Sequence, residues 1–536
     1  MMNSLYTAQT GLNTARYSVD TTSNNLANEN TQGYKKRVVE TSEISLLNSG
    51  QTGHGVSFDG VTRSTSEYLY QQLVNQSSLQ SYYEQEDSIL SNIEMMFSES
   101  DTSGFSITLS DFFDSIETLR AEPDNLIYQN ELSTQADTLV SSLQTLYGNL
   151  EEIQESSLEL LNEQVSQVNT LLEQITYLNE KIMQSSSVAN DLLDKRDQLE
   201  LELSSLVNID VDTSNGNYVL KVGDTTAIYN NKNLHELSVI EEYTAQKDIY
   251  KTTDLDDANV SDGQIVNLTL NNGTSISFAA STSGVDDNEL KQQIVDTINT
   301  SADFSSLNAY LDSSNNLIIT SVEEGESAQF DLTISVDDVE ISKSDKSIDA
   351  SNTVSVAIYG NEVTLKSGSI KSLTENLTTS SSKISEYKQS LDDFAKALVE
   401  IISSSSSTQI FTGSDVNSFS FIENSVVELS NKDLEALAQI QWNSDVNIDS
   451  SSKETTSFSK FYQNFLVTIS SDVENNSFKL ESQEAIVNSL SNAHDNLTKV
   501  DSDEEMINLL KYQAAYEANA KVITVVDEML QTLLNM

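Results

Sequence analysis

Two stretches of the sequence hold residue types that bind metals, although neither has the full spacing. His235 and Glu236 stand together as they do at the start of a hydrolytic zinc site, but the second histidine needed one turn later is missing. We therefore expect His235 at a strand edge or on the surface. The acidic stretch from Asp254 to Gly263 contains Asp256, Asp257 and Asp262, but the spacing does not fit the alternate oxygen ligands of a calcium loop. Loose calcium binding and a solvated loop both stay open there.

Other catalytic patterns are absent from the sequence. It has no cysteine, which excludes disulfides and thiolate metal sites, and three scattered histidines, His54, His235 and His494. No glycine-rich phosphate loop follows a strand pattern, and nothing indicates a Ser-His-Asp triad. We therefore expect no enzyme and assign no catalytic residue, metal ligand or cofactor. Trp442, the one tryptophan, is interpreted as a packing anchor.

The charge balance is strongly acidic. The 536 residues include 28 Lys and Arg against 83 Asp and Glu, a formal net charge of −55. Such a surface repels phosphate backbones and anionic lipid, so we expect neither nucleic-acid binding nor membrane insertion. No apolar run approaches the ~18 residues of a membrane span, and the first residues lack a secretory signal. We expect a cytosolic protein unless the chain is exported without a cleaved signal peptide.

Both ends of the chain have the periodicity of helices that pack lengthwise on one another. Their apolar residues alternate steps of three and four, and a helix with two such seams is expected to contact more than one partner. The amino-terminal seam is Leu5, Ala8, Leu12, Ala15, Val19, Thr22 and Leu26. The carboxyl-terminal seams are Leu509, Tyr516, Ala520, Ile523, Leu530 and Leu534, and Tyr512, Ala515, Val522, Val526, Met529 and Leu533, the second interrupted by Asn519.

The middle of the chain changes period twice. A seam from Leu132 to Ile175 predicts one long helix, with a shift of the seam at Leu158. A second helix, capped by Asp191, is expected to fold back on it as a hairpin. From about 209 to 370 the period is two, and NNG at 271–273 indicates a hairpin turn. Helix returns at 376–403 and 458–498.

This order of helix, strands and helix predicts an α+β multidomain fold. The N- and C-terminal helices pair into a coiled-coil or bundle base, and β-rich domains are inserted from the middle of the chain. The predicted domains are a terminal helical axial core (1–45 with 498–536), a mainly helical bundle (46–208 with 376–497), a β-rich domain (209–250 with 345–375) and a strand-helix-strand module (251–344).

The stretch TTSNNLANENTQGYKKR, residues 21–37, has an unusual composition for the end of a helix. Asparagine is a mediocre helix former because its side chain competes for backbone hydrogen bonds. We interpret these short amides as caps of the helix end and as hydrogen-bonding groups toward neighbouring subunits. The basic run Lys35, Lys36 and Arg37 indicates either contact with an acidic neighbour or a solubilising patch.

The same stretch resembles the amino-terminal signature of flagellar axial proteins, the rod, hook and hook-associated subunits. Gln32 stands where the family usually has proline, but Gly33 can still take the left-handed conformation that ends a helix. The matching residues are Ser23, Asn24, Asn25, Asn28, Asn30, Thr31, Gly33 and Tyr34.

The carboxyl end, from Asp501, is similar to the close of the hook-associated protein 1 family. Hook proteins share the core of Tyr516, Ala518, Asn519 and Ala520. They usually lack two acidic groups that this chain has, the preceding Asp503, Glu504 and Glu505, and the following Asp527, Glu528 and Met529. Segments 189–211 and 458–490 are similar to the helical hairpins of that family, and 262–336 resembles an insertion module of hook-associated proteins and flagellins.

The resemblance implies a structural subunit at the junction of hook and filament. It also implies export by the flagellar type III system, an extracellular location on the flagellum, and assembly with further copies in a ring or tube. The implied partners are the hook protein, the second hook-associated protein on the filament side, and an export chaperone at Val526, Met529, Leu530, Leu533 and Leu534. The alternatives are another axial subunit, such as a hook protein or the second hook-associated protein, and more remotely an exported adhesin or hydrolase.

The residues expected to carry assembly lie in the two terminal segments. Because one helix pair cannot cover both carboxyl-terminal seams, we expect the ends to be mobile in the monomer and to become ordered on assembly. At the amino end the assembly residues are Leu5, Ala8, Leu12, Ala15, Val19, Leu26, Asn24, Asn25, Asn28, Asn30, Gly33 and Tyr34. At the carboxyl end they are Leu509, Tyr512, Tyr516, Asn519, Ala520, Ile523, Val526, Met529, Leu530, Leu533 and Leu534.

Overall fold

The chain divides into two compact units. Unit 1 comprises Met1–Ile240, Ser355–Asn376 and Lys383–Met536, and unit 2 comprises Glu241–Val354 and Leu377–Ser382. The finer division into four domains stays a prediction. The computed structural model describes residues 2–44, 54–100, 103–185, 189–213, 216–244, 249–252, 263–270, 274–280, 287–301, 303–311, 317–321, 330, 332–337, 339–343, 351–413, 415–423, 425–444, 446–448 and 455–534.

The order of elements confirms the predicted α+β fold, with helices at both ends and strands in the middle. The helices are α1 (Met2–Ala27), α2 (Glu67–Met96), α3 (Phe105–Ala121), α4 (Leu126–Gln184), α5 (Asn190–Leu206), α6 (Asp287–Thr300), α7 (Ser369–Leu377), α8 (Lys383–Ser405), α9 (Asn431–Ile440), α10 (Phe458–Thr498) and α11 (Ser502–Leu534). The strands are β1 (Arg37–Glu43), β2 (Val56–Arg63), β3 (Ile209–Asp212), β4 (Val219–Val222), β5 (Thr225–Tyr229), β6 (Asn233–Leu234), β7 (Leu237–Thr244), β8 (Ile249–Thr252), β9 (Ile265–Leu270), β10 (Ser275–Ala279), β11 (Leu307–Leu311), β12 (Leu317–Ser321), β13 (Leu332–Val336), β14 (Val339–Lys343), β15 (Ser351–Ile358), β16 (Asn361–Glu362), β17 (Phe411–Thr412) and β18 (Ser420–Phe421).

The predicted pairing of the terminal helices is confirmed in unit 1. α1 packs against α11 in an antiparallel direction, since Asn25 near the end of α1 contacts Glu505 at the start of α11. A hairpin of β1 and β2, which the sequence analysis did not anticipate, packs on another side of α1. The ring of Tyr17 stacks on that of Phe58 with 4.1 Å between centroids. α1 is thus held between a helix and a hairpin.

The long helix α4 spans 59 residues, about 90 Å at 1.5 Å per residue. Its buried face runs from Leu132 to Asn179. The predicted shift of the seam is present, since the seam residues are buried on both sides of it, except that Leu146 and Leu158 are half-buried and their neighbours Tyr147 and Ser157 are buried. A straight helix turns every 3.6 residues, so a buried stripe cannot keep a strict 3.5 repeat along its whole length. This stripe faces α3, α5 and α8.

The hairpin partner α5 begins one residue earlier than predicted. Asp191 is not its N-cap; Ala189 holds that position and makes no side-chain capping bond. The Asp191 carboxylate lies in the first turn and accepts a hydrogen bond from Arg37 instead. α5 folds back on α4, and Arg196 donates to Asn179 of that helix at 2.9 Å.

Unit 2 contains the two sheets β10-β9-β13-β14 and β11-β12-β8 with the helix α6. The predicted hairpin is present as the antiparallel pair β9 and β10, whereas its NNG turn lies outside the described residues. The acidic stretch Asp254–Asp262, considered for calcium, also lies outside them. The apolar core of this unit includes Leu268, Ile294, Phe304, Ile319 and Ile334.

Three further predictions differ from the structure. The helix expected at 376–403 is interrupted, because Ser381 and Ser382 both donate backbone bonds to the Thr378 carbonyl in a turn between α7 and α8. The period of two predicted as far as about 370 gives only the short β16 after residue 358. Trp442 is 76% exposed just beyond the end of α9, so its interpretation as a packing anchor is wrong.

Candidate axial assembly site

The face of α1 that is most deeply buried consists of small and polar side chains. The small members of the predicted seam are buried as expected, whereas its larger members are half-buried, namely Leu5, Leu12, Val19 and Leu26. Small side chains let two helices approach closely. The buried set is Ala8, Ala15, Ser18, Thr22 and Asn25, and Gly11 continues its spacing.

Gly11 marks the closest approach to α11. A Cβ atom added there would lie 2.9 Å from Oδ1 of Asn519, which is closer than real side chains tolerate. The amide of Asn519 is itself held by a hydrogen bond from Nδ2 to the Ala515 carbonyl at 2.9 Å. Asn519, which interrupts an apolar seam in the sequence, therefore lies over the backbone of α1.

We expect Gly11→Ala to weaken the pairing of α1 with α11. Alanine normally stabilises a helix interior by about 0.5–1 kcal/mol over glycine, but here the new methyl group displaces the Asn519 amide. Gly148→Ala is the control, because Gly148 lies inside α4 with nothing within 4 Å of the added Cβ. Chemical unfolding should show stabilisation for Gly148→Ala only, and Asn519→Ala should restore the missing gain to Gly11→Ala. An equal gain in both single variants would contradict the close contact.

Asn25 joins the end of α1 to β1 and α11. Its side chain accepts from the Arg37 amide and donates to the Arg37 carbonyl and to Glu505 Oε2, all at 2.9 Å. The Tyr34 hydroxyl donates to Asn25 at 2.8 Å and to Asn24 at 3.1 Å. Burial and the nearby carboxylates raise the pKa of Tyr34 to about 12, so its hydroxyl remains a donor at neutral pH.

The other residues of the asparagine motif organise the turn that follows. Asn28 donates to the Asn24 carbonyl at 2.9 Å, and Asn30 is exposed. Gly33 has a φ of 77°, so the left-handed conformation is present although Gln32 replaces proline. Asparagine thus serves here to fasten the helix end within one chain.

The basic run contacts acidic neighbours on two other helices. Lys36 pairs with Glu504 at 2.9 Å and with the buried Glu505 at 3.4 Å, both in the first turn of α11. Negative side chains there also face the positive end of the helix dipole. Two acidic residues at the start of α11, Glu504 and Glu505, therefore pair with the basic run that follows the asparagine motif.

Lys35 and Arg37 of the basic run, together with Arg63 of β2, contact a row of carboxylates on α5. We call this cluster the ionic joint. Arg37 donates to Asp194 at 2.6 Å and to Asp191 at 2.8 Å, while Arg63 of β2 reaches Asp194 at 3.1 Å and Asp197 at 2.7 Å. Lys35 pairs with Asp197. Burial would lower the pKa of Arg37, but its bonds to Asp194 and Asp191 more than offset this and raise it. The members of the joint are Lys35, Arg37, Arg63, Asp191, Asp194 and Asp197.

The acidic half of this joint was not predicted from the sequence. Asp191, Asp194 and Asp197 recur every three residues, a spacing that places them along one side of a helix. Basic residues are few in this strongly acidic chain. The row of aspartates is therefore the signal from which a contact with the basic run could have been predicted. Its distance in sequence from residues 35–37 concealed the contact.

α11 presents a second apolar face that α1 does not cover. Val526 is buried, and the residues half-buried on the packed face are Leu509, Tyr512, Asn519, Ala520, Ile523 and Leu530. Tyr516 is exposed, and the side chain of Leu534 lies outside the described residues. We define the outer stripe as the exposed apolar residues on one side of α11, in two groups with Lys511 and Lys521 between them on the same side. Its members are Ile507 and Leu510 near the start of the helix, and Val522, Val525, Met529 and Leu533 near its end.

The residues first considered for chemistry do not converge in the described ranges. The ring of His235 lies against that of Tyr359, with 4.4 Å between centroids and 55° between ring planes, and His494 lies beside Tyr70. Within the ranges given above, no group of three or more metal-binding side chains comes together. The same residues include no helix with the length and apolar character needed to cross a bilayer.

Three family models match separate parts of the chain. The model described as the helical domain of flagellar hook-associated protein FlgK matches residues 90–300. That of the flagella basal body rod protein matches residues 5–35, which include the asparagine motif. That of the C-terminal region of flagellar basal body rod FlgEFG proteins matches residues 494–536, which include α11.

Curated relatives agree with these matches. The chain is 30% identical over 227 residues to flagellar hook-associated protein 1 of Escherichia coli, covering 40% of this chain and 41% of that protein. It is 32% identical over 220 residues to the protein of that name from Salmonella typhimurium (39% of each) and 30% over 238 residues to that from Bacillus subtilis (42% and 47%). The aligned stretches thus span less than half the length of these relatives.

A solved structure, that of the flagellar hook junction protein FlgK from Burkholderia pseudomallei, covers 79% of this chain and 99% of its own. Its identity of 12% and TM-score of 0.41 make this likeness too weak to support any statement about this chain. The matches in sequence carry the conclusion. They confirm the resemblance predicted from the asparagine motif and from the carboxyl end: over the matched stretches the chain is similar to flagellar hook-associated protein 1.

Proposed function

We propose that this chain is a structural subunit of the bacterial flagellum that joins the hook to the filament and assembles through α1 and α11. The observation that carries the proposal is the outer stripe, an apolar surface along a helix whose opposite face already packs on α1. Soluble proteins rarely leave such a surface uncovered without a partner. In an axial tube, the partner is the terminal helix pair of a neighbouring copy.

The size of the stripe supports a helical neighbour. Ile507 and Leu510 are 67% and 63% exposed, and Met529 and Leu533 are 50% and 53% exposed. Full burial of one such side chain contributes roughly 1.5–3 kcal/mol, so several together can offset the cost of ordering two subunits. The spacing along more than six turns suits a helix that lies lengthwise on α11.

Export without a cleaved signal peptide and binding of a chaperone belong to the same proposal. A chain without cysteine and with one proline threads a narrow channel and refolds without disulfide or proline isomerisation steps. Of the residues proposed to meet the chaperone, Met529 and Leu533 are exposed, whereas Val526 is buried. A chaperone that holds Val526 must therefore bind α11 before it pairs with α1. The subunit then acts outside the cell, next to the hook protein and the second hook-associated protein.

A second candidate is a different axial subunit, such as a hook protein. It is favoured by one observation: the family models that match the two ends, residues 5–35 and 494–536, are those of rod proteins. The match of a hook-associated helical domain to residues 90–300 favours the junction instead. The filament phenotype distinguishes the two roles.

The test is deletion of the gene and its complementation. A strain without a junction subunit should make hooks of normal length without filaments, and the full chain should restore the filaments. A chain that ends at Asn519, and so lacks residues 520–536, should not restore them and should lose chaperone binding in a pull-down. Loss of the hooks would identify a hook protein, and filaments in the deletion strain would refute both roles.

A further inference from the structure

The helix α10 buries different side chains in its first turns and in the rest of its length. Its first turns pack apolar side chains against α3 and α8, and the ring of Phe458 lies edge-on to that of Phe394 with 5.3 Å between centroids. Among the described residues 470–498, by contrast, no apolar side chain is buried. We call residues 458–469 the apolar end of α10 and residues 471–493 the amide segment.

Two buried amides join the amide segment to α2. Asn476 donates to the Tyr83 carbonyl at 3.0 Å, and Gln483 donates to the Gln76 carbonyl at 2.9 Å. The two donors are seven residues apart, as are the two acceptors, so the same contact recurs once per heptad of this antiparallel helix pair. Polar residues at such positions fix the register of a helix pair at a cost in its stability.

The apolar packing along the amide segment is correspondingly light. Leu480, Val487 and Leu490 are half-buried, whereas Tyr462 and Ile469 of the apolar end are 2% and 1% exposed. Burial of apolar area is the main favourable contribution to packing, while a hydrogen bond that is lost on opening is largely replaced by one to water. Opening of the amide segment therefore costs less free energy than opening of the apolar end.

The amide segment is anchored at both of its ends. The apolar end precedes it. Beyond it, the Lys36 amide donates to the Thr498 carbonyl at 2.7 Å, and the Ser64 hydroxyl donates to the Leu497 carbonyl at 2.8 Å. Its partner α2 also packs on α4 and α5, so α2 keeps these neighbours when the amide segment leaves it.

We propose that the amide segment is a compliant part of unit 1, which detaches from α2 and unfolds locally while its two anchors remain in place. Segments with few buried apolar contacts are those that open below the free energy of global unfolding. The amide segment is then the first part of α10 to lose its structure when unit 1 is strained or warmed. The inference does not depend on the proposed function.

The experiment is hydrogen exchange of the full chain as a dilute monomer, followed by mass spectrometry and corrected for intrinsic rates. Backbone amides of the amide segment should exchange at least about tenfold faster than those of the apolar end, because local opening exposes them. Low urea should accelerate exchange at the apolar end more strongly, since its amides need an opening that exposes more surface. Equal protection of the two parts would overturn the proposal.

The variant Asn476→Leu/Gln483→Leu should slow exchange in the amide segment at least about tenfold, because buried apolar side chains replace the amides. The matched control is Asn488→Leu/Asn492→Leu, which places two leucines at exposed positions of the same segment. These leucines raise helix propensity without being buried, so the control should change the exchange less than about threefold. Circular dichroism should establish that each variant is folded. No effect of the first variant, or equal slowing by the control, would also overturn the proposal.

Discussion

Asp194→Ala should lower the free energy of unfolding of unit 1 by about 3–5 kcal/mol, the cost of removing one partner from a buried ion pair. The Asp194 carboxylate accepts from Arg37 at 2.6 Å, from Arg63 at 3.1 Å and from the Lys35 amide at 3.2 Å. Its removal leaves two buried guanidinium groups with too few acceptors. Urea unfolding followed by circular dichroism, on the transition that includes α5, measures the loss.

Asp191→Ala is the matched control for this prediction. Asp191 also accepts from Arg37, at 2.8 Å, but its side chain is 92% exposed against 8% for Asp194. Exposed ion pairs contribute about 0–1 kcal/mol because water and salt screen them. The two aspartates stand on the same helix, one turn apart, so the comparison isolates burial. Equal losses for both would show that the ionic joint does not hold α5 to the strands β1 and β2.

Leu510→Glu/Val525→Glu should abolish assembly while leaving the monomer folded. Both side chains belong to the outer stripe, with exposures of 63% and 41%, so the glutamates remain in water until a neighbouring helix covers them. Burying a carboxylate without a partner then costs several kcal/mol. The measurements are rescue of filaments in the deletion strain and the thermal unfolding of the purified monomer.

The control for the stripe is Gln513→Glu/Gln531→Glu. These exposed glutamines stand on the same helix off the outer stripe, and their replacement changes the net charge by the same amount. The control variant should restore filaments, so a failure of the glutamate variant cannot come from added negative charge alone. Filaments restored by the glutamate variant would show that the outer stripe is not an assembly surface.

Local periodicity made the long helices predictable. α10 was predicted at 458–498 and α4 within a few residues, because their apolar residues repeat at helical spacing and no proline interrupts them. On α1 the predicted Ala8, Ala15 and Thr22 are buried, whereas Val19 and Leu26 are half-buried and the residues just before them, Ser18 and Asn25, are buried instead. Ser18 and Asn25 look unsuited to burial, and only their hydrogen bonds to Thr14 and Arg37 make it favourable.

The ionic joint was not predictable from local patterns. It joins residues 35–37 to residues 191–197, and their contact depends on how the intervening strands and helices pack. The basic run was open to two interpretations, and the structure favours contact with acidic neighbours, although within one chain. Assembly through the two ends, and their mobility in the monomer, stay predictions, which hydrogen exchange along α1 and α11 in a dilute monomer will test.

The antiparallel contact between Asn25 and Glu505 joins positions 480 residues apart. The entropic cost of closing such a loop grows with its length, and no part of α11 exists until the residues between it and α1 have been made. α1 consequently acquires its contacts with α11 much later than those with the nearby hairpin of β1 and β2. In any compartment that the growing or emerging chain passes through, α1 is therefore an amphipathic segment without its partner α11.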